Sequence, residues 1–245
     1  MMLSEIMPDD IIVITTAKFF EVIEQLDKQD KLRNTECYVY AFLRIEQYDE
    51  DRLAIKIPTK LSVLPDYRIP KIIHYCWFGK KEIPFQYRKW MESWKQYCPN
   101  YEIIQWSEEN YDVSKNRYLR QAYDLGKWAF VSDYARMDII HEYGGVYLDT
   151  DVELIKNIDE MLMNDGFCGF ESSQYVAFGL GFGAIKNHPI IREIKEYYEN
   201  TEFARNDGTL NQISCPIIQT EIMKRHGLKC NGEFQIVDAM AVYPS

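Results

Sequence analysis

The chain has no apolar run approaching the ~18 residues of a membrane span. It also has no C-x-x-C pair, no block of lysine and arginine, and no P-loop lysine motif. Each absence removes a class of protein. Without a long apolar run there is no spanning helix to expect, and peripheral attachment to a membrane stays open. The six cysteines (Cys37, Cys76, Cys98, Cys168, Cys215, Cys230) lie far apart, and reduced thiols in a cytoplasmic protein are their simplest account. Met1-Met2-Leu3-Ser4-Glu5 has neither the basic start nor the apolar core of a signal peptide. Formal charge is −10, from 28 Lys and Arg against 38 Asp and Glu, with the basic residues dispersed. That distribution argues against nucleic acid as a partner. An acidic chain that handles a phosphorylated small molecule needs a cation as mediator. Neither an internal repeat nor a low-complexity tract is visible.

What is present suits one soluble globular domain with a small appendage, since 47% of 245 residues are hydrophobic and 27% charged. A core of that size buries an active site without disulfides. Residues 1–68 read as an N-terminal α/β appendage of unknown role. Asp10–Ile14 has strand character, Thr16 caps a helix through Phe19 to Leu26, and strands are expected at Cys37–Leu43 and Leu53–Ile57. Pro58, Pro65 and Pro70 mark the boundary. From residue 69 onward strand and helix alternate. A strand over Lys71–Phe78 is followed by a helix that starts at Pro84 and stops at Cys98-Pro99-Asn100. A strand over Tyr101–Trp106 and an apolar helix over 127–142 come next, and Gly144-Gly145 ends that helix. Val146-Tyr147-Leu148 is a strand at once. The order predicts an α/β, mostly parallel sheet flanked by helices, whose ligands bind beyond the strand carboxyl ends, where Trp77 and Asp149 fall.

Three groups of residues carry chemistry. Asp149 and Asp151 close the apolar strand in a D-x-D spacing, and carboxylates suit hard cations that bridge phosphate oxygens. A bare D-x-D is also an ordinary turn, so its place after a Gly-Gly strand start matters more than the triplet. Asp133 and Arg136 share one face of the preceding helix at i, i+3, within an apolar stretch where charge must be paired or bound to something. Spacing alone does not separate a structural pair from a ligand site. Trp77, before Phe78-Gly79, offers a flat face to a nucleobase, although a buried core position is the commoner fate of tryptophan.

Ile69 to Gly79, Ser132-Asp133-Tyr134-Ala135-Arg136 and Tyr143 to Val152 together resemble the DxD glycosyltransferases of family 32, which include capsular polysaccharide transferases and Och1-type mannosyltransferases. The same pieces are similar to the catalytic core of the clostridial glucosylating toxins. The resemblance covers residues 69–245 and implies a Rossmann-like GT-A fold. It also implies retaining transfer of a hexose from a nucleotide-sugar donor, with UDP favoured, to a saccharide or lipid-linked saccharide acceptor in surface or capsular polysaccharide synthesis. It places the protein in the cytoplasm or at the inner face of the membrane. Donor-binding roles fall on Trp77, Ser132, Asp133, Arg136, Tyr147 and Asp149, and catalytic roles on Asp133, Arg136 and Asp149. Asp149 and Asp151 are the implied ligands for Mn²⁺ or Mg²⁺, with Asp151 the more direct. Glu171 is the one carboxylate after the next strand that could face a pocket, and a surface position is its alternative. His188 is expected to start a helix. The chain departs from the family at Ser214-Cys215-Pro216, where many members carry Thr-Gly-Pro, and at its end, where members continue with an aromatic segment. A shortened domain is therefore expected. A haloacid-dehalogenase-like phosphatase, whose signature is also D-x-D, and a catalytically inactive nucleotide-sugar-binding domain are the alternatives.

Overall fold

The computed structural model describes residues 12–14, 37–39 and 67–245. The chain divides into two compact units, Met1–Ser62 and Val63–Ser245. In the first, β1 (Ile12–Ile14) and β2 (Cys37–Val39) pair in parallel, with Ile12 opposite Cys37. The helix expected after Thr16 and the strand expected at Leu53–Ile57 lie outside the described residues.

The second unit carries the sheet. β3 (Ile72–Cys76) leads through α1 (Phe85–Tyr97) to β4 (Glu102–Trp106). Two helices follow, α2 (Arg117–Asp124) and α3 (Trp128–Tyr143), and then β5 (Gly145–Tyr147). A 3₁₀ turn at Asp159–Met163 precedes β6 (Gly166–Ser172), β7 (Tyr175–Val176) and β8 (Phe182–Ala184). Helices α4 (Pro189–Glu199) and α5 (Cys215–Arg225) and the hairpin β9 (Gln235–Val237) and β10 (Met240–Tyr243) complete it. The sheet order is β4-β3-β5-β8-β6-β10-β9, with β7 beside β6. β3, β4, β5, β6 and β10 run one way, while β7, β8 and β9 oppose them. The result is a mixed α/β fold with a mostly parallel sheet flanked by helices.

Alternation along the strands explains the layers. Ile73, Val146, Phe167 and Ala241 point to one face, where Trp94 of α1 fills the core. Cys76, Tyr147, Cys168 and Val242 point to the other, against α3, α4 and α5. His188 starts α4 as expected, its Nδ1 accepting the Ile190 N–H. With β7, α5, β9 and β10, α2 is among the elements that the sequence did not announce. Asn116 caps it by accepting the Leu119 N–H at 2.9 Å, and Tyr118, Leu119 and Ala122 make its buried face.

The joint between α3 and β5 positions everything that follows. Gly144 and Gly145 both have positive φ, 68° and 106°. A Cβ at Gly144 would stand 2.9 Å from Lys186 N, and one at Gly145 2.9 Å from Ile72 O. Both contacts are to backbone, so the two glycines are required by space as well as by torsion. The freed Gly144 carbonyl accepts from His74 Nε2 at 3.0 Å, while His74 Nδ1 accepts the Trp106 indole N–H at 3.1 Å. A neutral imidazole thereby ties β3 and β4 to the end of α3, and burial holds its pKa down at about 4.

Candidate functional site

β3 and β5 end side by side, which brings Trp77 and Asp149 to one edge of the sheet. A cavity of about 320 Å³ opens there, at the small end of ligand sites. Trp77, Trp128, Ser132, Arg136, Asp149 and Asp151 line it, with Cys76, Phe78, Lys81, Tyr87, Ala129 and Thr150. Five of the residues expected from sequence therefore meet at one place: Trp77, Ser132, Arg136, Asp149 and Asp151. Asp133 and Tyr147 lie behind the wall, 6% and 0% exposed.

Arg136 is the hub. Its Nη2 sits 3.1 Å from Asp133 Oδ1, its Nη1 donates to Asp149 Oδ2 at 3.3 Å, and its Nε donates to the Ser132 carbonyl at 3.1 Å. The guanidinium also lies 5.0 Å from the ring centre of Tyr147, whose hydroxyl donates to Asp149 Oδ1 at 2.9 Å. Burial opposes the charge of Arg136, but Asp149, Tyr147 and Asp133 outweigh it and hold the group protonated. Asp133 is driven the other way: burial raises its carboxyl against the pull of Arg136 and of the Cys215 thiol, which donates to it. Burial likewise pushes the Cys76 thiol up to about 12, so a neutral sulfur floors the cavity.

Asp151 differs from Asp149 in having no cation partner among the described residues. It stands after the strand with its surface largely open, yet the cavity wall takes enough water from its carboxyl that this desolvation, together with the charge of Asp149, raises its pKa. The turn that carries it is fastened to α1, where Trp94 Nε1 donates to the Val152 carbonyl at 2.8 Å and Ser93 Oγ accepts the Leu154 N–H at 2.8 Å. Among the described residues no group of three or more His, Cys, Asp and Glu gathers. The donor set thus fits a hard cation held by one or two carboxylates, with phosphate and water completing the shell, rather than a closed protein cage.

Other contributors were not read from the sequence. Trp128, Ser132 and Arg136 fall at i, i+4 and i+8 on α3, a spacing that could have pointed to Trp128. Gly179, before β8, approaches the hub so closely that a Cβ would stand 2.8 Å from Arg136 Nη1 and 3.2 Å from Asp149 Oδ2. The neighbouring backbone is held by α5, with Gln219 accepting from Phe178 N and Thr220 from Val176 N, each at 3.0 Å. No local pattern announces that contact. Glu171 is exposed on β6 and does not line the cavity.

Residues 84–168 match the family model for the glycosyltransferase sugar-binding region containing a DXD motif. The chain carries a DXD-type glycosyltransferase region. That stretch includes Asp133, Arg136, Asp149 and Asp151, and it begins after Trp77. Inositol phosphoceramide mannosyltransferase 3 of Schizosaccharomyces pombe is 28% identical over 137 residues, 51% of this chain and 36% of that protein. The human alpha-1,4-N-acetylglucosaminyltransferase is 38% identical over 72 residues, 29% of this chain and 20% of that protein. An uncharacterized glycosyltransferase of Acanthamoeba polyphaga mimivirus is 25% identical over 187 residues, 72% of this chain and 73% of the viral protein. The matched stretch thus spans little more than a third of the mannosyltransferase. Among solved structures, the PaToxG glycosyltransferase superposes with a TM-score of 0.51 at 17% identity, covering 64% of this chain and 68% of the other. The fold is of the GT-A type.

Proposed function

We propose that this protein is a metal-dependent, retaining glycosyltransferase that moves a hexose from a nucleotide sugar, UDP-linked by preference, to a saccharide or lipid-linked saccharide. The observation that carries the proposal is Arg136, a buried cation held between Asp133 and Asp149 at the exit of the D-x-D strand and open to the cavity. A capsular or other surface polysaccharide is the proposed product, made on the cytoplasmic side of a membrane. Among the described residues no helix is long and apolar enough to cross one.

In this reading Trp77 stacks on the base, and Ser132 and Arg136 meet the diphosphate. Asp149 accepts from ribose or sugar while Arg136 and Tyr147 fix its two oxygens. Asp133 orients Arg136 and offers its remaining lone pairs to a sugar hydroxyl. Mn²⁺ or Mg²⁺, held by Asp151 and reached by Asp149, supplies positive charge to the diphosphate when bound. When the anomeric C–O bond breaks, its electron pair goes to the β-phosphate oxygen. Arg136 meets the growing charge in a site where little water competes. The acceptor hydroxyl then bonds to the anomeric carbon, and its proton passes to the departing β-phosphate oxygen. Retention favours delivery of that hydroxyl on the face the diphosphate leaves, because Asp149 and Asp151 are the carboxylates lining the cavity and Asp149 is already engaged.

The test is hydrolysis of UDP- and GDP-hexoses by the purified protein with Mn²⁺, read by release of nucleoside diphosphate. Turnover of one donor, abolished in Arg136→Ala, is the expected result. Hydrolysis of a phosphomonoester with no attack on any nucleotide sugar would move the assignment to a phosphatase. Nucleotide binding without turnover, with or without added acceptor saccharides, would reduce the protein to a binding domain.

A further inference from the structure

Helix α3 turns Trp128, Ser132 and Arg136 toward the cavity at four-residue intervals, a single stripe along the helix. At 1.5 Å per residue the stripe is about 12 Å long, comparable with the reach from a base to the far phosphate of an extended nucleoside diphosphate. Its inner end is the Arg136 hub. Its outer end is an indole, 36% exposed, in the first turn of the helix.

That indole is held from several sides. Gly79, at φ 95°, lies so close to it that a Cβ would stand 2.8 Å from Cε2 and 2.9 Å from Nε1. Tyr123 meets it edge-on with ring centres 5.3 Å apart. The Tyr123 hydroxyl donates to Glu108 Oε1 at 3.2 Å, and the same oxygen accepts the Gly79 N–H at 2.6 Å. One carboxylate therefore fixes both the glycine beside the indole and the tyrosine at its edge. Trp77 and Trp128 line the same cavity without packing on each other, for Trp77 meets Tyr87 and Trp128 meets Tyr123. They also differ in what they have left to offer. The Trp77 indole N–H is committed to the Lys81 carbonyl at 2.6 Å. That of Trp128 has no hydrogen-bond partner among the described residues.

We infer that Trp128 is a second recognition residue for the nucleoside of the donor. Its ring is the helix-side wall of a slot whose strand-side wall is Trp77, and its Nε1–H donates to an oxygen of the nucleoside. The inference rests on the proposed use of a nucleotide sugar. It adds to that reading a measure along α3, with the nucleoside at Trp128 and the diphosphate near Ser132 and Arg136.

Calorimetric titration of UDP and of inorganic pyrophosphate, both with Mn²⁺, into wild type, Trp128→Ala and Trp128→Phe tests it. Trp128→Ala is expected to weaken UDP about tenfold or more, the loss of one stacked ring, and to leave pyrophosphate within about twofold. Trp128→Phe keeps a ring beside Gly79 and loses the donor, so it should show a loss of only about three- to fivefold, again confined to UDP. Should Trp128→Ala fail to fold, the phenylalanine variant alone decides between a UDP-selective loss and none. Wild-type affinity for UDP in the variants, or an equal loss for pyrophosphate, overturns the role of Trp128 while leaving the nucleotide-sugar reading intact. Failure of the wild type to bind any nucleotide overturns both.

Discussion

Helix α3 carries two buried aspartates that the same fold treats in opposite ways. Asp138 is 4% exposed and Asp133 6%. Asp138 accepts from Lys115 at 2.6 Å and Tyr111 at 2.9 Å, and Lys195 stands 3.3 Å away. Burial alone would raise its carboxyl, yet those donors hold it below the ordinary range. Asp133 has one cation, and that cation is shared with Asp149. Burial prevails and its carboxyl is raised. Equal burial with unequal pairing separates a closed ionic cluster, which ties the segment before α2 to α3 and α4, from an open one beside a cavity. A buried charge left short of partners costs stability, and a ligand that brings donors can repair the deficit.

The largest expected separation between the two clusters is in turnover. Arg136→Lys keeps a positive charge but loses the fork that spans Asp133 and Asp149, and donor turnover should fall about 10²–10³-fold. Asp138→Asn should change it no more than about threefold. In thermal unfolding the order reverses. Asp138→Asn leaves two lysines facing an amide and should cost about 3 kcal/mol, roughly 6–12 °C in Tm for a domain of this size. Asp133→Asn should lose no Tm at pH 7 while losing activity, because the charge it removes is one that burial already opposes. An equal drop in Tm for both variants would erase the distinction.

The pH dependence of stability sharpens the same contrast. His74 is fully buried and neutral, with its pKa lowered to about 4 from 6.5. The unfolded chain takes up the proton first, so the stability tied to His74 is complete above pH 6.5 and is lost as the pH falls from 6.5 toward 4. The loss is about 3 kcal/mol, and in His74→Gln this limb should flatten. Asp138, whose carboxyl is lowered, holds its contribution above the ordinary carboxylate range and yields it only below about pH 4. Asp138→Asn should therefore flatten a separate, more acid limb. Denaturant midpoints measured between pH 3 and 8 distinguish the two. The smallest effect is reserved for Gly179→Ala, whose Cβ would press on Arg136 Nη1. Turnover should fall about tenfold through a shifted guanidinium, with donor KM moving less than kcat.

Which of these residues could be read from the sequence follows from the range of their contacts. α1, α3 and β5 are announced by local signals: Pro84 at a helix start, a long apolar helix, and Gly144-Gly145 at its end. Asp133, Arg136, Asp149 and Asp151 stood out by helix spacing and an abrupt strand exit within one short segment, but spacing left a structural pair and an ordinary turn open, and the roles expected of them came from the family resemblance. α2 was missed because Arg117, Arg120, Gln121 and Asp124 give it a polar surface that hides Tyr118, Leu119 and Ala122. The insertion of β8 between β5 and β6 depends on pairing across distant residues, which composition does not encode. Gly179 and Cys215 reach Arg136 and Asp133 only through that topology. Tyr147 was legible as part of the strand, but only the fold reveals that its hydroxyl reaches Asp149 from beneath.

The central claim is that this cavity takes a nucleotide through a cation at the D-x-D turn. Calorimetric titration of UDP into the wild type and Asp151→Asn, each with Mn²⁺ and with EDTA, tests it most directly. The account predicts binding that requires Mn²⁺ and weakens at least about tenfold in Asp151→Asn. Equal UDP affinity in EDTA, or an Asp151→Asn protein indistinguishable from wild type, would contradict it.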